Sequence, residues 1–248
     1  ALAPRSMLLN LPPAAARGGR HHGLGYPRTR GRVLCTLEHE AGQYQDPVEL
    51  FWASGACIFL RKTALDDIGL LDEDFVLHQE EIDLCWRMHL MDWKIYAVPQ
   101  SKIWHFVGGT LNQGNPRKNY WNFRNNLFLL LKNLSLTNLM LRIPLRLPLD
   151  MLAFLIEILK GHLAGAMAII KAYFWIITHL SIIFRKRAAV QRSRKVPDKQ
   201  ALRLMYPGSI IFEYYILGRK KFSQLANSCK ILHKNPNIDF DINQGVAI

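Results

Sequence analysis

The side chains best suited to acid–base chemistry lie in one short stretch, His78-Gln79-Glu80-Glu81-Ile82-Asp83, preceded by Asp72, Glu73 and Asp74. Three carboxylates within four residues at a helix start exceed what the helix dipole accommodates, because one or two suffice and the rest repel one another. A positive group is therefore expected to meet them. Carboxylates crowded in this way raise each other's pKa, and a raised carboxylate is what a general base needs to take a proton from a hydroxyl near neutral pH. Asp83 and Arg87 stand four apart and can pair on one helix face, which makes Asp83 the structural member and leaves Glu80 and Glu81 for chemistry. The competing reading is a solvated acidic helix start. His105, between Trp104 and Phe106 and followed by Gly108, Gly109 and Thr110, is a second candidate. Glycines let backbone approach a bound group closely, although a lone strand histidine is more often a satisfied core residue.

Several short elements must position these groups. Residues 51–60 are apolar with small Ser54, Gly55 and Ala56, and read as a loop entering a short buried strand. Thr63 can cap a helix that Gly69 ends, and 70–77 form an acidic loop. Leu84, Met88 and Met91 predict a helix over 80–91, with its carboxylates in the first turn. Residues 94–98 and 102–106 are predicted as two strands separated by a turn at Pro99. From Asn115 onward, Tyr120, Phe123, Leu127 and Leu130 or Leu131 return to helical spacing. The expected fold class is α/β with a helical C-terminal extension. Residues 1–32, a mixture of Ala, Pro, Gly and Arg, read as irregular, and 236–248 as a tail.

Of the 248 residues half are apolar and 21% charged, which excludes a disordered, collagenous or coiled-coil chain. The 32 Lys and Arg against 19 Asp and Glu give +13, a balance that calls for an anionic partner. The excess is local: residues 111–235 hold 21 basic and 4 acidic side chains. The same segment carries apolar runs at 127–131, 151–159 and 163–184, which basic nucleic-acid-binding arms rarely contain, so an anionic membrane surface is expected and nucleic acid is not. Residues 163–184 are long enough to cross a bilayer, yet Lys171 sits near their centre and His179 follows. An interfacial helix and a single span both stay open, and the flanking Arg185, Lys186, Arg187, Arg192, Arg194 and Lys195 would face the cytoplasm under the positive-inside rule. Cysteines 35, 57, 85 and 229 show no CxxC spacing, so neither a zinc site nor a disulfide framework is expected. Residues 8–11 are too short for the apolar core of a signal peptide, and Pro12 and Pro13 interrupt them.

Six blocks occur in order: Phe51-Trp-Ala-Ser-Gly-Ala-Cys-Ile-Phe-Leu-Arg61, Gly69-Leu-Leu-Asp-Glu-Asp-Phe75, Glu80-Glu-Ile-Asp-Leu-Cys-Trp-Arg87, Val98-Pro, Ile103-Trp-His105 with Gly108-Gly-Thr110, and Asn119-Tyr-Trp-Asn-Phe-Arg-Asn125. Over residues 25–132 this series resembles the C-terminal half of family 2 glycosyltransferases, particularly their bacterial rhamnosyltransferase-like branch. The resemblance implies an inverting enzyme of the GT-A type that moves a sugar from a nucleotide-sugar donor to a hydroxyl of a glycan or lipid-linked acceptor, in cell-surface polysaccharide or lipid-linked glycan synthesis. It implies a divalent cation, Mg²⁺ or Mn²⁺, at the leaving diphosphate. The family's acidic pair falls on Glu80 and Glu81, with Glu81 as the expected base and Glu80 as the alternative. His105 falls on a residue that in some members ligates the metal or touches the diphosphate. Trp52, Ala53, Ser54, Gly55 and Ala56 would line the acceptor and donor-sugar side, with Asp83 beside them. Arg124 would meet phosphate or acceptor, or form a surface salt bridge.

The family also carries, upstream, a first strand, a nucleotide-binding helix and an Asp-x-Asp metal motif that are not recognised before Gly25. Asp72-Glu-Asp74 occupies a later loop and is not read as that motif. The expectation is a partial product: 33–133 as the C-terminal half of a GT-A catalytic domain with part of its mixed sheet, and 134–235 as a basic, helical, membrane-associating region. It would sit at the cytoplasmic face of the inner or plasma membrane, peripheral or single-span. The alternative function is a non-catalytic remnant or acceptor-binding module.

Overall fold

The computed structural model describes residues 2–8, 18–21, 27–29, 31–33, 36–39, 42, 45–105, 115–205, 213–214, 217–228 and 245–247. Its architecture is mixed α/β with helices predominating. Strands β1 (Leu2–Leu8), β6 (Val48–Glu49), β8 (Phe59–Arg61), β9 (Tyr96–His105) and β10 (Gly245–Ala247) form a five-stranded sheet in the order β10-β8-β1-β9-β6. Strand β1 runs parallel to β9, and the other pairs in this sheet are antiparallel. A three-stranded antiparallel sheet joins β3 (Pro27–Thr29), β2 (Gly18–His21) and β7 (Trp52–Ala53), and β4 (Arg32–Val33) pairs with β5 (Thr36–Leu37).

Two expectations are corrected here. Residues 1–32, read as irregular, contribute β1, β2 and β3. The two strands expected around Pro99 are one strand, β9, whose register against β1 shifts between the Pro4–Val98 and Arg5–Lys102 pairs. The residues left over on β9 include Pro99, which has no N–H to give to a neighbour.

The helices follow local signals more closely. Helix α1 (Lys62–Ile68) ends at Gly69, whose φ of 77° suits glycine, but its N-cap is Arg61 and not Thr63. Helix α2 (Glu80–Leu90) buries Ile82, Leu84, Cys85, Trp86, Met88 and Leu90, so it is a core helix. Helix α3 (Pro116–Asn133) begins with Asn115 accepting from the Arg117 N–H at 2.9 Å and Pro116 in the first turn, as a helix start favours. Helices α4 (Leu136–Leu159), α5 (Leu163–Thr178) and α6 (Leu180–Ser193) follow, then the single turn α7 (Asp198–Ala201). The apolar run 163–184 is not one straight helix, because α5 and α6 meet at a 70° bend. At that bend Thr178 Oγ1 donates to the Phe174 carbonyl (2.9 Å), and His179 Nδ1 lies 2.9 Å from the Trp175 carbonyl, so side chains compete for the carbonyls that would continue the helix. Among the described residues no single helix is long and apolar enough to cross a membrane.

The core that positions α2 comes from both sides. Phe51 packs edge-on to Trp86 (5.4 Å between ring centroids) and stacks on His89 (5.2 Å). Phe75 stacks on Phe128 of α3 at 4.9 Å. The Ala53 N–H points to Cys85 Sγ (3.4 Å), and His89 Nε2 lies 3.0 Å from the Phe51 carbonyl and 3.2 Å from that of Leu50. Burial, partly opposed by these carbonyls, pushes His89 down to about 4, so the ring is neutral and its Nε2–H is the donor.

Candidate active site

The turn into α2 is strained in a way that its sequence does not advertise. Val76, His78 and Gln79 have φ of 47°, 68° and 70°, a region that costs a non-glycine residue about 1 kcal/mol or more. Asn125 of α3, fully buried, holds this turn: its Nδ2 lies 3.0 Å from the Phe75 carbonyl and 2.7 Å from those of Leu77 and His78. The fixed turn delivers His78, Gln79, Glu80 and Glu81 in sequence to the start of α2.

These four consecutive residues share a property. His78 Nε2, Gln79 Oε1, Glu80 Oε2 and Glu81 Oε2 are each buried, and none has a hydrogen-bond partner among the described residues. Buried polar atoms are nearly always satisfied, so four unsatisfied ones in consecutive residues set this turn apart. Burial, reinforced by the charge of Glu80, raises Glu81 from 4.5 to about 7, against the pull of backbone N–H groups in the first turn. His78 is lowered, first by burial and then by the charge of Lys118, with Glu80 opposing.

Trp52 to Ala56 meets this turn from the other side. Trp52 and Ala53 are buried in the core, whereas Ser54, Gly55 and Ala56 reach the surface in a turn closed by the Cys57 N–H on the Ser54 carbonyl (3.3 Å). Gly55 lies directly over Glu81: a Cβ added there would stand 3.6 Å from Glu81 Cβ and 3.9 Å from its carboxyl carbon. The structure thus brings Glu81 together with Ser54-Gly55-Ala56, while Trp52 and Ala53 support them from below.

Two expected sugar-site residues are corrected. Asp83 is wholly buried and tied to Arg87 (2.8 Å), Lys132 (2.9 Å) and Asn133 (2.9 Å), which leaves it no face toward a ligand. The charges of Lys132 and Arg87 outweigh burial and lower its pKa. Arg124 is neither phosphate-facing nor a surface ion pair. Its guanidinium is buried against Trp175, 3.7 Å from the ring centroid, and donates to the Asp74 carbonyl and to Asn125 Oδ1. Burial lowers it to about 10.

The positive group expected to meet the acids is Lys132. It joins Asp83 to Asp72 (2.5 Å), and Lys186 of α6 adds bonds to Asp72 and Asp74. Burial would raise Asp72, but Lys132 and Lys186 bring it down to about 2. The cations therefore serve the 72–75 loop and Asp83, and leave Glu80 and Glu81 without a counter-charge of this kind.

His105 closes β9, and its side chain, with Gly108, Gly109 and Thr110, lies outside the described residues. Among the described residues no three His, Cys, Asp or Glu side chains cluster as a metal site requires. Cys57 and Cys85 are free thiols, and burial pushes Cys85 up to about 12, which leaves it inert. The sequence places His78 and Gln79 in the acidic stretch but assigns them no role, since their burial depends on a backbone conformation that Asn125, 47 residues away from His78, imposes.

No protein-family model matches the chain, and no solved structure does. Over 97 residues it is 30% identical to the N-acetylglucosaminyl-diphospho-decaprenol L-rhamnosyltransferase of Mycobacterium tuberculosis, a match covering 38% of this chain and 30% of that protein. Over 58 residues it is 34% identical to the poly-beta-1,6-N-acetyl-D-glucosamine synthase of Staphylococcus epidermidis, covering 23% of this chain and 14% of that one. The chain thus spans less than a third of the length of either relative. Both are glycosyltransferases, and the chain is related to glycosyltransferases through them.

Proposed function

We propose that the chain supplies the acceptor-activating part of a glycosyltransferase of family 2 and GT-A type, with Glu81 as general base. The observation that carries this reading is a carboxylate whose Oε2 is buried with no hydrogen-bond partner among the described residues, raised to about 7 and set against the Ser54-Gly55-Ala56 turn. Such a group is half ionised at neutral pH and loses little by accepting a proton. As the acceptor oxygen attacks the anomeric carbon of a nucleotide-sugar, its hydrogen passes to Glu81. The bond from that carbon to the diphosphate breaks, and the diphosphate leaves with the electron pair, inverting the anomeric centre. Glu80 raises the basicity of its neighbour, and Ser54 to Ala56 shape the sugar side. A divalent cation, when bound, would neutralise the leaving diphosphate. The relatives' names support a glycan or lipid-linked acceptor in polysaccharide synthesis.

The test is sugar transfer by the protein, from UDP- or dTDP-sugars, with Glu81→Gln and Glu80→Gln beside the parent. Glu81→Gln is expected to lower kcat by about a thousandfold, the range of a lost general base, while calorimetric donor binding changes little. Retained transfer in Glu81→Gln with loss in Glu80→Gln would reverse the roles. Absence of any donor binding would favour the non-catalytic, acceptor-binding reading.

A further inference from the structure

Helix α5 is apolar on its outer face as well as its inner one, unlike a helix facing water. It turns Gly165, Ala166, Ile169, Ala172 and Ile176 inward. Outward it presents Leu163, Met167, Ile170, Phe174 and Ile177, spaced four, three, four and three, with Phe174 66% exposed. The inner face is mostly small, with Ile169 and Ile176 as its large members, and the outer face is a continuous row of large apolar side chains. Helix α4 also turns large apolar side chains outward. Its buried residues are the charged pair Arg146–Asp150 (2.6 Å), with Tyr173 donating to Asp150 at 2.7 Å, while Met151, Leu155 and Leu159 are exposed. A water-facing helix has the opposite arrangement, and an apolar surface this extensive marks a contact site.

The charge around these residues selects the partner. Residues 136–193 contain eight Lys and Arg but only two acids. Asp150 is buried, and Glu157 is partly buried beside His162 (3.6 Å). Lys160, Lys171 and Arg185 are exposed among the apolar side chains. Their stems can lie along hydrocarbon while the charged ends reach phosphate. Among the described residues no single helix is long and apolar enough to cross. The 70° bend between α5 and α6 suits a surface that lies along the leaflet, against the bent pair entering it as a broken span, which carbonate extraction distinguishes.

We propose that the outer faces of α4 and α5 insert into one leaflet of an anionic membrane, with Lys160, Lys171 and Arg185 on lipid phosphates. This surface is independent of Glu81, and its test reads binding rather than transfer.

The experiment is flotation of the chain with vesicles of phosphatidylcholine, alone or mixed with phosphatidylglycerol, at low and high salt. The expected result is preferential binding to the mixed vesicles, weakened but not abolished by salt, and release by alkaline carbonate. Ile170→Ser/Phe174→Ser/Ile177→Ser should lower partitioning by about tenfold or more, with the circular dichroism of the parent. Lys160→Glu/Lys171→Glu/Arg185→Glu should remove the preference for phosphatidylglycerol. Undiminished binding by the triple serine variant would overturn the proposal, as would resistance to carbonate. A stable dimer that ignores vesicles and dissociates in the triple serine variant would also overturn it, by showing that a second copy covers the surface.

Discussion

A carboxylate taken out of water ionises against the protein's own interior, and Glu81 shows this as a pKa raised from 4.5 to about 7 although backbone N–H groups of the first turn oppose the rise. Because folding raises this pKa, ionised Glu81 opposes folding. The cost is absent below pH 4.5, grows as pH rises toward 7, and levels off above it at about 3 kcal/mol. Glu81→Gln is accordingly expected to be more stable than the parent at about pH 8 and to lose that advantage near pH 4, by urea unfolding. An equal difference at both pH values would show that Glu81 is not desolvated. At this scale the sequence disclosed the crowded acids and the Asp83–Arg87 spacing, since both are local. It did not disclose that Asp83 is also held by Lys132 and Asn133, or that Arg124 is stacked on Trp175, because those contacts cross from 49 to 51 residues of chain.

Among the elements, α3 does most to hold the site. Asn125 fixes the strained turn, Arg124 holds the Asp74 carbonyl, and Lys132 and Asn133 close on Asp83, so one face of one helix organises residues 72–83. Lys132 is 3% exposed, and its removal would leave Asp72 and Asp83 buried and short of charge. Lys132→Met is expected to cost about 3–5 kcal/mol in urea unfolding, the range for breaking a buried ion pair from one side, and a loss under about 1 kcal/mol would contradict the network. The folded pKa values of both aspartates lie below the ordinary 3.8, so their contribution is present above that pH and fades as pH falls, toward about 2 for Asp72. Helix positions were legible because apolar spacing and helix ends are written within a few residues, as from Asn115 onward and at Gly69, while the N-cap read at Thr63 falls on Arg61. Strand β1 was not, because its partner β9 lies some ninety residues away and Leu2–Leu8 shows no clean alternation of its own.

Across the whole molecule, charge and apolar surface are segregated. The acidic turn sits at the start of α2, and the cationic apolar helices follow in sequence, with Lys186 of α6 reaching back to Asp72 and Asp74. The basic, apolar character of 134–193 could be read from composition, whereas the break at His179 could not, because it depends on side chains competing for carbonyls within an otherwise apolar run. The central claim concerns one proton, and the pH dependence of kcat/KM for sugar transfer tests it most directly, in the parent, Glu80→Gln and Glu81→Gln. The parent should show an acid limb with its midpoint near pH 7. Glu80→Gln should move that limb to lower pH by removing the neighbouring charge, and Glu81→Gln should abolish it together with most of the rate. An acid limb that persists unchanged in Glu81→Gln would contradict the assignment of the base.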